Sequence, residues 1–222
     1  MLKISVIIPA HNEERYIAKT LQSVHQQDFS DYEIIVVANA CTDKTTEIAA
    51  KYTKVYATKR KGVSLAKNIG MAKAKGEILV FLDADTTLAK NCLSETSKKF
   101  TPEYSVGTVK VKPENLQWKY RLLMGLKNLY FSFGFYEGSN GIVFCRKKEA
   151  PLHREDLQLR EQRYFIKELL KKGKYCFISS STVTTSMRRY EKSTLGTLYF
   201  WAKKFLKDWL GSIRGDEYPL VR

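Results

Sequence analysis

An α/β fold on a mainly parallel sheet, flanked by helices, is predicted by three observations. From Met1 to Asp85, short apolar runs alternate with helix-period segments, the pattern of right-handed strand–helix–strand crossovers. Ile78-Leu79-Val80-Phe81-Leu82 is an unbroken apolar run, as expected of a strand buried on both faces. It ends in Asp83-Ala84-Asp85, which puts two carboxylates outside the carboxyl end of a strand, where open α/β sheets hold ligands. Carboxylates on one short turn repel each other, and a hard divalent cation bound together with substrate phosphates relieves that repulsion.

The elements follow in order. Ile4 to Ile8 is a β run stopped by Pro9. Asn12 is expected to cap the next helix, with Glu13 and Glu14 at its positive end and Tyr16, Ile17, Leu21 and Val24 along its stripe. Tyr32 to Val37 gives a second strand, after which Thr42 or Asp43 caps a helix carrying Ile48 and Ala49. A third, shorter strand falls at Val55 to Thr58, and the basic loop Lys59-Arg60-Lys61-Gly62 leads to a helix over Ser64 to Lys75. The strand-end loops at His11, Asn39 and Asp83 then converge on one edge, the natural place for a nucleotide. Neither G-x-G-x-x-G nor G-x-x-x-x-G-K-[ST] is present, so a dinucleotide fold and a P-loop are both unsupported.

Composition narrows the class. The 222 residues are 44% hydrophobic and 27% charged, which is globular composition, and no apolar run reaches the length of a membrane span. Met1-Leu2-Lys3-Ile4 leads directly into a strand without the layout of a signal peptide. Cys41, Cys92, Cys145 and Cys176 are widely spaced, as for free thiols in a reducing compartment. The 38 basic against 23 acidic residues give a net charge of +15, which fits phosphate-bearing ligands and an anionic membrane surface. No nucleic-acid-binding signature accompanies that charge.

Four blocks carry a resemblance. Ser5-Val6-Ile7-Ile8-Pro9-Ala10-His11-Asn12-Glu13-Glu14 is the first, and Glu33 to Val37 with Asn39, Thr42, Asp43 and Thr45 is the second. Gly62 to Gly70 and Phe81-Leu82-Asp83-Ala84-Asp85 complete the set. In order and spacing they resemble family 2 glycosyltransferases. The resemblance implies a GT-A (Rossmann-like) fold with a mixed, mainly parallel sheet, and sugar transfer from a UDP- or GDP-linked donor with Mg²⁺ or Mn²⁺. It implies that Pro9, His11 and Glu13 surround the nucleobase and ribose, and that Asn39 stands where an Asp is usual. Arg60 is positioned to meet the diphosphate, and Asn68 either touches the donor or fixes its loop. Asp85 is implied as the metal ligand, with Asp83 reaching the metal through water or holding the ribose.

The second half is expected to hold the acceptor. Val106 to Val111 alternates as a strand, and Asn115 to Tyr136 reads as a core helix. Phe131, Phe133, Phe135 and Tyr136 exceed one buried stripe, leaving some to face a lipid or apolar acceptor. Gly138-Ser139-Asn140-Gly141 resembles the family's strand beneath the donor sugar. Family members show an E-D pair whose acid is the general base; here Glu161-Gln162 stands in that place, and glutamine cannot take a proton. Glu161, or Asp156 or Glu155 in a shifted register, takes the role, unless the acceptor is itself ionised. Gly173 is expected as a left-handed helix stop, and Arg188 and Arg189 as a clamp on a diphosphate or acceptor phosphate.

The division expected is a transferase domain over residues 1–190, with donor half 1–100 and acceptor half 101–190, plus an appended tail over 191–222. Leu198, Trp201, Phe205 and Trp209, with Lys203, Lys204 and Lys207, make the tail an amphipathic helix for a membrane interface, for this domain or for a second subunit. The resulting expectation is an inverting, cytoplasmic transferase in peripheral contact with the inner membrane face. Its acceptor would be a hydroxyl or phosphate, such as a polyprenyl phosphate or lipid-bound glycan. The competing readings are a non-catalytic nucleotide-sugar binder and, less favoured, a basic nucleic-acid-binding protein.

Overall fold

The computed structural model describes residues 3–134, 140–157 and 161–192. Strand β1 (Ile4–Ala10) leads through α1 (Ile17–His25) to β2 (Tyr32–Asn39), and α2 (Thr45–Ala50) leads on to β3 (Val55–Thr58). Helix α3 (Val63–Lys73) then crosses back to β4 (Ile78–Leu82), which pairs with β1 on the side opposite β2. The β1–β2, β1–β4 and β2–β3 pairings are all parallel. Winding therefore reverses beside β1, and a crevice opens outside the strand ends at such a switch point.

The chain continues through β5 (Thr86–Leu88), α4 (Cys92–Lys99), β6 (Tyr104–Pro113), α5 (Trp118–Ser132), β7 (Ile142–Arg146), α6 (Glu161–Leu170), β8 (Lys174–Thr185) and α7 (Arg188–Lys192). The sheet has eight strands in the order β3-β2-β1-β4-β7-β6-β8-β5. β7 is antiparallel to both β4 and β6, and β8 is parallel to β6. Two reversals across β7 thus return β6 and β8 to the direction of β4. Consequently β1, β2, β4 and β8 all open their carboxyl ends on one edge.

Helices on both faces explain why β4 is apolar throughout. Ile78, Val80 and Leu82 face a core shared with Ile17, Leu21 and Val24 of α1 and Leu93 of α4. Leu79 and Phe81 face a second core with Ala66 of α3 and Phe165, Ile166 and Leu169 of α6. All four cysteines are free; burial pushes the Cys92 thiol up to about 12 and Cys176 to about 11, so both stay protonated thiols of the core.

Two expectations change. Asn12 is not a helix cap: α1 begins after Tyr16 without a side-chain cap, and the Asn12 side chain is taken by a neighbouring loop. Gly173 is not a left-handed stop; a Cβ there would lie 3.0 Å from the Glu103 carbonyl oxygen and 3.1 Å from Ser105 Cβ, so it permits close approach to β6. Phe131 is core, stacked on Tyr175 and Phe177, whereas Phe133 is 70% exposed. Phe135, Tyr136, Gly138, Ser139 and the 195–210 tail lie outside the described residues.

Candidate active site

The loops after β1 and β2 are laced together. Asn12 has φ +54, a left-handed conformation its short polar side chain tolerates by bonding locally. Its Nδ2 donates to Thr42 Oγ1 and its Oδ1 accepts from the Thr42 amide, both at 2.8 Å. The Glu13 amide donates to Thr45 Oγ1 at 2.6 Å. Asp43 accepts the Thr45 amide at 3.0 Å, but α2 begins after Lys44 without a side-chain cap, so neither Thr42 nor Asp43 is its cap as the sequence predicts. Burial alone would raise the Asp43 carboxyl, but hydrogen bonds from Thr45 and neighbouring amides outweigh it and hold the group below its usual range.

His11 and Asn39 meet at this edge. His11 Nδ1 lies 2.6 Å from the Asn39 carbonyl oxygen, so that nitrogen carries a proton and donates. The Asn39 side chain is only 4% exposed and its Oδ1 accepts the Gly62 amide at 3.0 Å, which fixes the loop entering α3. Pro9 is half-buried in β1 opposite Val37.

The Asp83-Ala84-Asp85 turn is tied down through its backbone. The Asp83 amide donates to the Gly141 carbonyl at 2.8 Å, Thr20 Oγ1 donates to the Ala84 carbonyl at 2.8 Å, and the Ser186 amide donates to the Asp85 carbonyl at 3.2 Å. The carboxylates are therefore aimed by the main chain, and the last bond joins the turn to the end of β8.

Arg188 completes this edge. Its guanidinium donates to both Glu13 carboxylate oxygens, at 2.8 and 2.6 Å, and its Nη2 lies 3.1 Å from Asp85 Oδ2. The guanidinium carbon sits 4.9 Å over the Tyr16 ring. Burial would lower the Arg188 pKa, but its bond to Glu13 and the Asp85 charge outweigh that, so the group stays cationic. The side chain of Arg189 lies outside the described residues.

A second polar cluster lies where α3 meets α6. Lys67, 4% exposed, donates to Gln162 Oε1 at 2.6 Å and lies 3.5 Å from Glu161 Oε1. Gln162 is itself buried, and its Nε2 has no partner. His153 is stacked on Phe165 at 3.9 Å and edge-on to Phe81 at 5.0 Å, with both ring nitrogens unpartnered. Burial, with the Lys67 charge second, pushes His153 down to about 2 and keeps it neutral. Its folded value lies below the ordinary 6.5, so stability falls as pH drops below that value while the unfolded chain takes up the proton. His153→Phe keeps the ring stack and removes the orphaned nitrogens. It is expected to flatten that acid loss in urea melts between pH 6.5 and 4.5, a span of about 2 units below the ordinary histidine value.

The other predicted residues serve the loops. Arg60 is 76% exposed at its side chain and pairs with Glu155 at 3.1 Å. Asn68 fixes its loop: Nδ2 donates to the His153 carbonyl at 2.9 Å and Oδ1 accepts the His153 amide at 2.8 Å. Asp156 accepts two bonds from Arg154, at 3.0 and 2.5 Å, on an exposed turn. Lys67 and His153 escape sequence reading, because a helical lysine ordinarily reads as solvated. The one signal is its place among Ser64, Gly70 and Ala74, at the spacing of a buried stripe.

The donor set suits a hard cation. Asp85 already holds one cationic group, the Arg188 guanidinium, and its contacting atoms are carboxylate oxygens. Among the described residues no group of three or more His, Cys, Asp or Glu converges as a metal cage. Asp85, with Asp83, would hold Mg²⁺ or Mn²⁺ only in company with substrate phosphates.

A mixed, mainly parallel sheet with acids and an arginine at its strand ends is a frame on which open α/β folds hold ligands. Residues 5–159 match Glycosyl transferase family 2, and the chain belongs to that family. It is 32% identical over 125 residues to poly(ribitol-phosphate) beta-N-acetylglucosaminyltransferase TarS of Staphylococcus aureus, covering 52% of this chain and 22% of TarS. It is 32% identical over 113 residues to GalNAc(5)-diNAcBac-PP-undecaprenol beta-1,3-glucosyltransferase of Campylobacter jejuni, covering 47% of this chain and 37% of that protein. The chain thus spans well under half the length of either. Among solved structures, S. aureus TarS 1–349 with UDP-GlcNAc superposes at TM-score 0.68 and 22% identity, covering 83% of this chain and 58% of that one. Mannosyltransferase PcManGT from Pyrobaculum calidifontis with GDP-Man and Mn²⁺ gives TM-score 0.66 at 18% identity, covering 82% and 56%. These likenesses establish the GT-A fold.

Proposed function

We propose that the chain is an inverting glycosyltransferase that moves a hexose from a UDP- or GDP-sugar to an acceptor hydroxyl or phosphate. The observation that carries this reading is the Glu13–Arg188–Asp85 network at the shared strand-end edge, beside the His11–Asn39 contact. His11, Asn39 and the loops they tie would hold the base and ribose. Arg188, with Arg189, would face the diphosphate. Asp85, with Asp83, would hold a divalent cation, whose positive charge would stabilise the leaving nucleoside diphosphate. The acceptor oxygen bonds to the anomeric carbon as the bond to the phosphate oxygen breaks, and the acceptor's proton passes to a base.

Glu161 fits that base better than Asp156. Glu161 opens α6 with its side chain 12% exposed and 3.5 Å from Lys67, whereas Asp156 is held twice by Arg154 on an exposed turn. Gln162 can serve only to place Lys67. A lipid-linked acceptor is supported by the net charge of +15 and by Trp118, Leu122, Leu126 and Leu129 exposed along α5. The C. jejuni relative, named as a glucosyltransferase acting on an undecaprenol-linked glycan, points the same way. No helix among the described residues is long and apolar enough to cross a membrane.

A second reading, donor binding without transfer, is favoured by Gln162, whose oxygen is captured by Lys67. Calorimetric titration with UDP, GDP and their sugars tests the common ground of both. Saturable binding of one base is expected, and no binding of either base defeats both readings.

A further inference from the structure

We infer that Arg188 is the resident cation of the Asp85 carboxylate: it holds Asp85 and Glu13 together and sets how weakly the site takes a bare divalent cation. The inference deepens the proposed function and rests on its reading of Asp85 as the metal ligand.

Glu13 and Asp85 come from different strand ends, after β1 and after β4, yet both lie within contact of one guanidinium. Two carboxylates so placed repel each other unless a cation stands between them. The arginine is well fixed. It has two bonds to Glu13 and the Tyr16 ring beneath it, and the Ser186 amide, two residues before it, is anchored on the Asp85 carbonyl.

Arg188 makes a two-pronged bond to Glu13 at 2.8 and 2.6 Å, and its Nη2 stands 3.1 Å from Asp85 Oδ2. A guanidinium this close repels a second cation approaching the same carboxylate, so a bare divalent ion would bind Asp85 against the charge of Arg188. Diphosphate oxygens would offset that repulsion and could take a two-pronged bond from the arginine. Asp85 would thus hold a divalent cation mainly when a diphosphate accompanies it.

Mn²⁺ alone, without any donor, tests this on the full chain by calorimetry and by the electron paramagnetic signal of free Mn²⁺. Arg188→Met keeps the length and apolar stem but removes the charge. It is expected to bind Mn²⁺ about tenfold more tightly than wild type, which is about 1.4 kcal/mol. The gain is expected to vanish in Arg188→Met/Asp85→Asn. Arg188→Lys, whose ammonium cannot fork across both carboxylates, gives a second variant should the methionine chain fail to fold; a smaller tightening, roughly threefold, is expected. Circular dichroism establishes that each variant is folded. Mn²⁺ affinity equal to or weaker than wild type in the folded variants overturns the inference. Because no donor is present, that outcome is separate from failure of the transferase reading, which wild-type donor titration detects.

Discussion

Asp85→Asn is expected to lower nucleoside diphosphate release by roughly a hundredfold or more while leaving the melting temperature close to wild type. The main-chain ties of the turn do not involve the carboxylate: Thr20 holds the Ala84 carbonyl at 2.8 Å and the Ser186 amide holds the Asp85 carbonyl at 3.2 Å. Asn has the same size, and Arg188 keeps both of its bonds to Glu13. What disappears is one negative charge at a side chain that is 18% exposed. Losing the Arg188 pair costs little stability, on the order of 1 kcal/mol. The charge matters for turnover, because it would hold the cation that faces the departing diphosphate. A release assay and a thermal melt on the same preparation separate the two effects. Full release by the folded variant would remove Asp85 from the site.

Lys67→Met is expected to be the most damaging single change to stability, at about 3 kcal/mol. Lys67 and Glu161 have side chains only 5% and 12% exposed, so water replaces the lost ammonium poorly. Gln162 Oε1 would lose a 2.6 Å bond, leaving both polar atoms of a buried amide unpartnered. The carboxylate of Glu161 would be left at the edge of that cluster without its counter-ion. Lys67→Met/Glu161→Gln is expected to recover part of the loss, since the stranded charge is then gone. Urea midpoints for the singles and the double give the coupling directly. A midpoint unchanged in Lys67→Met would mean the cluster is open to solvent.

The fold was legible where burial dictates sequence locally. β4 needs apolar residues on both faces, so its run and its acidic end stand out, and β3 is found at Val55–Thr58 as read from the sequence. The parallel half follows from alternation alone. Long-range pairing was not legible. Arg188 and Glu13 are 175 residues apart, and Lys67 and Gln162 are 95 apart, so only the folded sheet brings them together. Local rules also lost to tertiary partners. Asn12 has the composition of a cap, but Thr42 offered both of its amide atoms a bond. Arg60, placed by its basic loop to meet a diphosphate, has a partner that sequence could not show, Glu155 at 3.1 Å.

Nucleoside diphosphate release from a panel of UDP- and GDP-sugars, with Mn²⁺ and the wild-type chain, tests the central claim most directly. The account predicts release from donors of one base, lost on chelation of the metal and in Asp85→Asn. Absence of both release and calorimetric binding across the whole panel would contradict it.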